Sequence, residues 1–208
     1  MEKIIKVTKM INILISSAVS YIIGSINFAI IFSSFLHSED IRKKGSKNAG
    51  ATNIMRIYGK KAGITVFLCD FLKGIIAVFA ARILIYFLGA PYETALFAGF
   101  FVQFGHIYPI FFGFRGGKGV ATAAGAAFAI MPLTAVILIG VFAVIAFSSK
   151  IVSLASGICA ALYPLLALNF GKENGKALFI FSACCSALIL IKHITNINML
   201  INGKENKI

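Results

Sequence analysis

Long apolar blocks constrain the fold of this chain more than any other feature of its sequence. A helix of roughly 20 apolar residues crosses the hydrocarbon core of a bilayer. The blocks lie near residues 10–36, 63–89, 94–112, 120–147, 151–169 and 176–191. Because only 13% of the residues are charged, the chain lacks the polar surface that a soluble domain of this size needs. We therefore predict an all-α, polytopic membrane helix bundle that forms one domain over residues 1–208.

The first apolar block has two interpretations, a signal peptide or a retained span. Lys3, Lys6 and Lys9 precede it, as basic residues precede the apolar core of a signal peptide. The apolar run continues to about Leu36 and contains no convincing small-residue cleavage site. We therefore expect a retained span.

Basic residues set the expected orientation. The loop from His37 to Lys61 carries seven Lys and Arg residues against two acidic ones, and cytoplasmic loops are enriched in Lys and Arg. This loop is predicted to lie in the cytoplasm. The N-terminus is then outside, although its three lysines favour the opposite orientation.

The block 120–147 is ambiguous. Its length is generous for one span and too short for two full ones, and Pro132 lies where it would kink or break a helix. One crossing gives six spans and an external C-terminus. Two short helices that meet near Pro132 give seven spans and a cytoplasmic C-terminus, and hydropathy leaves both possibilities open.

The net charge of +13 fits three kinds of partner: nucleic acid, the anionic membrane surface or an anionic substrate. Basic cytoplasmic loops account for part of this excess. The distribution of polar residues among the loops is more informative than the total.

The polar segment 45–56 contains many small hydrogen-bonding side chains. Ser46 and Asn48 are suited to cap a helix start, where free backbone N–H groups also favour anions. If the second half is helical, Thr52 and Arg56 lie four residues apart on one face. The segment is either an anion site or a solvated basic linker with a capped helix.

The segment 105–122 combines glycines with Arg115 and Lys118. Glycines allow backbone N–H groups to turn towards one point and form an anion nest. This composition favours phosphate binding, although Gly119 follows the lysine where a nucleotide P-loop has Ser or Thr. The Gly-x-x-x-Gly spacing is also typical of close helix packing.

Two further polar pairs lie at or within the membrane. His193 and Asn196 share one helical face at the C-terminal membrane boundary. Asp70 and Lys73 are three residues apart inside an apolar run, where ionisable groups are costly and usually paired or functional. We interpret Asp70 and Lys73 as a structural ion pair.

Taken together, these segments resemble the bacterial acyl-phosphate:glycerol-3-phosphate acyltransferases. The resemblance rests, in order, on residues 20–26, 45–53, 105–106, 113–122 and 193–197, and extends over about residues 20–205. It implies about seven transmembrane helices, with short or broken helices around Pro132, and an active site at the cytoplasmic side. It also favours a cytoplasmic C-terminus, because His193 then reaches the side on which Ser46 lies.

The family pattern implies roles for twelve residues. Catalytic roles carry over to Ser46, His193 and Asn196. Phosphate-binding roles carry over to Arg56, Arg115, Gly116, Gly117 and Lys118. Supporting roles carry over to Asn48, Thr52, Ser156 and Glu205, with Ser156 preferred to Ser153. The chain departs from the pattern at Asn27, where the family usually has proline, and at Met199, where arginine is common.

The implied reaction transfers a fatty acyl group from acyl phosphate to the sn-1 hydroxyl of glycerol 3-phosphate. It yields lysophosphatidic acid and phosphate, and is the first acylation of bacterial phospholipid synthesis. The base stays open between His193 and the phosphate of the acyl phosphate itself, with the latter preferred. An acyl-enzyme on Ser46 is a third, less favoured route.

The resemblance implies a bacterial cytoplasmic membrane location and contact with membrane lipid. It also implies a functional link to the soluble enzyme that makes acyl phosphate. We expect no nucleic acid partner, no cofactor and no metal, because the three histidines are far apart and the four cysteines lack metal-ligand spacing. The alternative function is a small membrane transporter of phosphorylated metabolites, for which an inverted repeat is typical.

Overall fold

The computed structural model describes residues 1–170 and 174–207, and every regular element in these ranges is helical. The first five helices are α1 (Glu2–Ser25), α2 (Phe28–His37), α3 (Ala51–Tyr58), α4 (Lys60–Leu88) and α5 (Glu93–Ile107). The others are α6 (Val120–Ile130), α7 (Pro132–Ser149), α8 (Val152–Phe170), α9 (Gly175–Lys192) and α10 (Ile194–Ile201). Short 3₁₀ turns occur at Ile41–Lys43 and Ile110–Phe112. The predicted all-α class is confirmed.

Six helical segments in the described part of the chain are long and apolar enough to cross a membrane. They are Lys6–His37, Lys60–Leu88, Glu93–Phe112, Pro132–Ser149, Val152–Phe170 and Gly175–Lys192. The seventh apolar helix, α6, has 11 residues, and its length of about 16 Å covers only half of the hydrocarbon core.

The ambiguous block is two helices. α6 ends at Ile130, Met131 forms the junction, and Pro132 is the first residue of α7. Proline is favoured at this position because the first N–H groups of a helix have no intrahelical acceptor. The two-helix interpretation around Pro132 is therefore confirmed.

The first span is also broken, between α1 and α2. Asn27 caps α2, because its side-chain oxygen accepts a hydrogen bond from the Ile30 N–H at 3.1 Å. Its amide group donates to the Ala49 carbonyl at 3.4 Å. Asparagine at this position therefore starts a second helix and also contacts the polar segment 45–56.

Two helix pairs cross closely because glycine removes a side chain at the contact. A Cβ at Gly24 or Gly105 would overlap the backbone of the opposite helix where α1 meets α5. The same holds for Gly74 and Gly125 where α4 meets α6. Loss of the side chain lets helix backbones approach within a membrane, and these crossings position the loop that precedes α6.

Candidate active site

A cavity of about 490 Å³ opens at one end of the bundle. Loop and helix-end residues within 46–56, 116–121, 152–156 and 192–206 form most of its wall, so these segments lie at the same end. Phe67 and Asp70 from α4, His106 from α5 and Phe142 from α7 complete the lining. Cavities of this size typically bind small molecules.

Ten of the twelve residues singled out from the sequence line this cavity. They are Ser46, Asn48, Thr52, Arg56, Gly116, Lys118, Ser156, His193, Asn196 and Glu205. Arg115 and Gly117 are not in its wall: Arg115 is exposed, and Gly117 packs against the ring of His106. The structure thus brings three separate polar segments to one place.

The buried side chain of Asn53 holds the first segment. Its oxygen accepts a hydrogen bond from the Ser46 N–H at 3.0 Å. Its amide group donates to carbonyls of the same loop, those of Ile41, Lys44 and Asn48. Asn53 was not singled out from the sequence, because a buried amide that organises a loop has the same local pattern as a solvated one.

The expected cap of α3 is wrong. Gly50 is the N-cap residue and no side chain caps the helix, so Ser46 and Asn48 are left to face the cavity instead. α3 nevertheless includes Thr52 and Arg56 one turn apart, and both line the cavity as the helical spacing predicted.

The second segment differs from the expected anion nest. The Gly116 N–H donates to the Ile107 carbonyl at 3.1 Å, and the Gly117 N–H donates to the His106 carbonyl at 3.2 Å. These two amides therefore close the loop and do not bind an anion. Gly119 and Val120, at the N-terminus of α6, line the cavity, and the first N–H groups of a helix have no intrahelical acceptor.

Arg42, in the 3₁₀ turn Ile41–Lys43 just before the first polar segment, binds the second one. Its guanidinium donates to the Phe112 carbonyl at 2.7 Å and to the Arg115 carbonyl at 3.2 Å. The same side chain binds the Asp40 carboxylate at 2.8 Å. Arg42 therefore anchors the glycine loop through its backbone, a contact between distant segments that the sequence does not reveal.

The third segment joins the second through Asn196. Lys118 Nζ donates to the side-chain oxygen of Asn196, whose amide donates to Glu205 Oε1 at 2.7 Å. Ser153 also donates to Glu205 Oε1, at 2.9 Å. Ser156, which the sequence favoured over Ser153, also lines the cavity, and its hydroxyl donates to the Val152 carbonyl of its own helix.

The C-terminal residues fold back over the cavity. Arg56 donates to the Asn206 carbonyl at 3.0 Å, and Met199 also lies in the cavity wall. Met199, at the position where the resemblance implied arginine, thus places an apolar side chain in the wall of the site.

His193 is held as a neutral ring. Its Nδ1 lies 2.8 Å from the Ile189 carbonyl, which only accepts hydrogen bonds, so Nδ1 carries the proton and Nε2 is a free acceptor. Burial, and secondarily the positive charge of Lys118, lower the pKa of His193 to about 4. This ring is therefore neutral at physiological pH.

Lys118 is a cation with a reduced pKa. Its pKa is lowered to about 8, chiefly by burial; the charge of Glu205 raises the pKa, and the charges of Arg56 and Lys192 lower it. Four cationic side chains thus line one cavity, those of Lys47, Arg56, Lys118 and Lys192, and Asp70 and Glu205 are the acidic residues of its wall. The surplus of positive charge favours anions such as phosphates.

A buried group of three ionisable residues, Asp70, Lys73 and His106, lies beside the cavity. Lys73 Nζ lies 2.8 Å from Asp70 Oδ1, so the predicted ion pair is present. Lys73 also donates to the Ile26 carbonyl at 2.7 Å, and its Nζ lies 3.0 Å from His106 Nδ1. Asp70 and His106 line the cavity, a placement that the one-dimensional pattern could not reveal.

An apolar groove continues from the cavity between α4, α6, α7 and α8. Its enclosed volume is about 110 Å³. Phe67, Val120, Ala121, Phe142 and Ser156 belong to both the cavity and the groove. A ligand with a polar head and an apolar chain fits this combination.

Comparison with known proteins identifies the family. Residues 14–203 match the family described as glycerol-3-phosphate acyltransferase. The chain belongs to this family. Its relatives include the glycerol-3-phosphate acyltransferase of Neisseria gonorrhoeae (strain NCCP11945), 43% identical over 92% of this chain and 94% of the relative. That of Thermoanaerobacter sp. (strain X514) is 39% identical over 93% of this chain and 94% of the relative.

Solved structures of the family share the fold. The crystal structure of PlsY (YgiH), an integral membrane glycerol 3-phosphate acyltransferase, in its glycerol 3-phosphate form has a TM-score of 0.86 and 37% identity. The alignment covers 94% of this chain and 95% of that one. The lysophosphatidic acid form has a TM-score of 0.82 and 36% identity. Like them, the present chain is a multi-pass integral membrane acyltransferase.

Proposed function

We propose that this acyltransferase moves a fatty acyl group from acyl phosphate to the sn-1 hydroxyl of glycerol 3-phosphate. The products are lysophosphatidic acid and phosphate. The observation that carries the proposal is a cationic cavity that opens directly into an apolar groove. Family relatives with glycerol 3-phosphate and lysophosphatidic acid forms support the acceptor and the product.

Cations bring the two phosphates together. Arg56, Lys118 and Lys192 line the cavity, and the N-terminus of α6 adds free N–H groups beside them. Without these positive groups, two phosphorylated substrates would repel each other. Fixed charges of this kind position substrates and stabilise the charge that develops in the transition state.

In the reaction, the sn-1 hydroxyl oxygen forms a bond to the acyl carbonyl carbon, and the bond from that carbon to the phosphate oxygen breaks. The hydroxyl proton passes to a phosphate oxygen of the acyl donor, which departs with it as inorganic phosphate. His193 orients the hydroxyl through its free Nε2 acceptor. Its pKa of about 4 makes it a weak base at neutral pH, which supports the phosphate as the proton acceptor.

Ser46 and Asn196 complete the proposed site as hydrogen-bonding groups. Ser46 lies in the loop that Asn53 holds, and Asn196 orients the ammonium of Lys118. A mixed anhydride is already activated, so attack on it requires no acyl-enzyme on Ser46.

The proposed location is the bacterial cytoplasmic membrane, with the cavity and the C-terminus in the cytoplasm and the N-terminus outside. The basic loop between α2 and α4 borders the cavity, and Lys and Arg are enriched in cytoplasmic loops. A cytoplasmic site also suits delivery of acyl phosphate by a soluble enzyme that makes it, while membrane lipid contacts the outer helix faces.

The test is turnover by the purified protein in lipid nanodiscs. With acyl phosphate and glycerol 3-phosphate, we expect equal amounts of lysophosphatidic acid and phosphate. Lys118→Ala removes a cavity cation and should slow turnover, whereas Lys43→Ala removes an exposed cation outside the cavity wall and is the matched control. Absence of product from the folded protein would contradict the proposal.

A further inference from the structure

The group of Asp70, Lys73 and His106 has no part in the mechanism above, although two of its members face the cavity. All three side chains are nearly fully buried, with exposed fractions of 1%, 3% and 3%. Ionisable groups at membrane depth are costly and are retained where they serve a function. The charges of Asp70 and Lys73 offset each other, which leaves His106 as the member of the group without a role.

The contacts of Lys73 define the protonation of His106. An ammonium group has three N–H donors and no acceptor. Its three neighbours are Ile26 O at 2.7 Å, Asp70 Oδ1 at 2.8 Å and His106 Nδ1 at 3.0 Å. Asp70 Oδ1 also lies 3.3 Å from Nδ1, but the two atoms form no hydrogen bond, since this oxygen has no hydrogen-bond partner among the described residues. A proton on Nδ1 would therefore face the ammonium without an acceptor, so Nδ1 is an acceptor. The proton of the neutral ring is therefore on Nε2.

Among residues 1–170 and 174–207, the one hydrogen bond of the His106 side chain joins its Nδ1 to Lys73 Nζ, so its Nε2–H has no protein acceptor there. The ring is 97% buried, since its exposed fraction is 3%, yet it contributes to the cavity wall. Gly117 leaves room for it, because a Cβ at that position would overlap Nε2. The absence of a side chain at Gly117 thus leaves space next to Nε2.

The position of the ring within the site indicates which part of a substrate it meets. Phe67 belongs to both the polar cavity and the apolar groove. Asp70, which contacts the His106 ring at 3.3 Å, lies one helical turn from Phe67 on the same face. The His106 ring is thus beside the boundary between polar and apolar walls. In an acyl phosphate, the corresponding boundary is the acyl carbonyl group.

We propose that His106 donates its Nε2–H to the carbonyl oxygen of the acyl donor and stabilises the negative charge that this oxygen gains during attack. The proposal rests on the proposed function and identifies a further catalytic residue for it. A neutral donor that is held rigidly in a buried site is effective at a developing oxyanion. Lys73 fixes the tautomer, and Asp70 offsets the charge of Lys73.

Two substitutions distinguish the two roles of His106, which are to donate a hydrogen bond to the substrate and to accept one from Lys73. In His106→Asn, the side-chain oxygen can replace the Nδ1 acceptor for Lys73, but no donor remains at the Nε2 position. In His106→Gln, the amide N–H can replace the Nε2 donor, but the acceptor for Lys73 is lost. We expect kcat with acyl phosphate to fall roughly 100-fold or more in His106→Asn, and to fall less in His106→Gln. The KM for glycerol 3-phosphate should stay within about twofold of wild type in both.

Turnover by the wild-type protein tests the proposed function first. The kcat values of the variants then test only the role of His106. Both variants are compared with wild type only after size-exclusion chromatography and thermal melting show that they are folded. A His106→Asn variant with wild-type kcat, or one more active than His106→Gln, would overturn the assignment.

A spectroscopic measurement on the wild-type protein does not depend on any variant. A non-hydrolysable acyl phosphonate with a ¹³C carbonyl reports hydrogen bonding through its infrared stretching frequency. We expect a lower frequency in the bound state than in detergent alone, and a higher one when the same probe binds to His106→Asn. An unshifted carbonyl frequency on binding to wild type would refute the hydrogen bond.

Discussion

Removal of the buried Lys73 charge should destabilise the protein strongly. Asp70 and Lys73 have side-chain exposures of 1% and 4%, and their charged atoms lie 2.8 Å apart. Breaking such a pair by deleting one partner leaves an uncompensated buried charge and costs about 3–5 kcal/mol. Lys73→Met also leaves the Ile26 carbonyl without its donor. We therefore expect the free energy of unfolding to fall by at least about 3 kcal/mol, which is roughly a hundredfold in the unfolding equilibrium constant.

The assay is the free energy of unfolding in detergent or bilayer, compared with Lys61→Met. Lys61 is on the same helix and is exposed, so this control makes the same chemical change without opening a buried pair. Asp70→Leu combined with Lys73→Met should recover most of the loss, because an apolar pair replaces an ion pair. A Lys73→Met protein within about 1 kcal/mol of Lys61→Met would refute the reasoning, since even an ordinary buried hydrogen bond is worth that much.

Three further outcomes are expected. Since the pKa of Lys118 is about 8, kcat/KM for acyl phosphate should fall as pH rises through 8 and stay flat in Lys118→Arg; an identical profile in both would contradict the role of Lys118. Since the pKa of His193 is about 4 in the folded protein and 6.5 normally, the unfolded state binds more protons between these values. The contribution of neutral His193 to the stability of the fold is therefore complete above pH 6.5 and is lost as pH falls towards 4. The free energy of unfolding, measured at several pH values, should fall less with decreasing pH in His193→Asn than in wild type. Gly125→Ala should cost about 1–3 kcal/mol, because a Cβ there overlaps the Phe71 carbonyl, whereas Gly140→Ala on α7, with open space around it, should be neutral or stabilising in thermal melts.

Some of the site follows from local chemistry. The helical spacing of Thr52 and Arg56 and the polar composition around Lys118 and His193 are properties of short segments. Ten of the twelve residues to which the family resemblance gave roles line one cavity. Their catalytic and binding roles stay predictions until they are tested by substitution.

Other parts of the site depend on contacts between segments far apart in the chain. Gly116 and Gly117 have the composition of an anion nest, but their N–H groups bond to carbonyls at the end of α5. Ser153 and Ser156 both line the cavity, and Ser153 contacts Glu205 because the C-terminal segment returns to that place. The sequence does not reveal this contact.

The sequence by itself determined the membrane class of this protein, because runs of about 20 apolar residues cross the hydrocarbon core as helices that satisfy their own backbone hydrogen bonds. It also determined that several helices cross the bilayer and that the loops at one side are cationic. The tertiary structure decided that the block around Pro132 is two helices, and that Asp70 and His106 reach the cavity. Hydropathy measures how each segment partitions into the membrane, whereas a catalytic site depends on which polar atoms the packing of those segments brings within hydrogen-bonding distance.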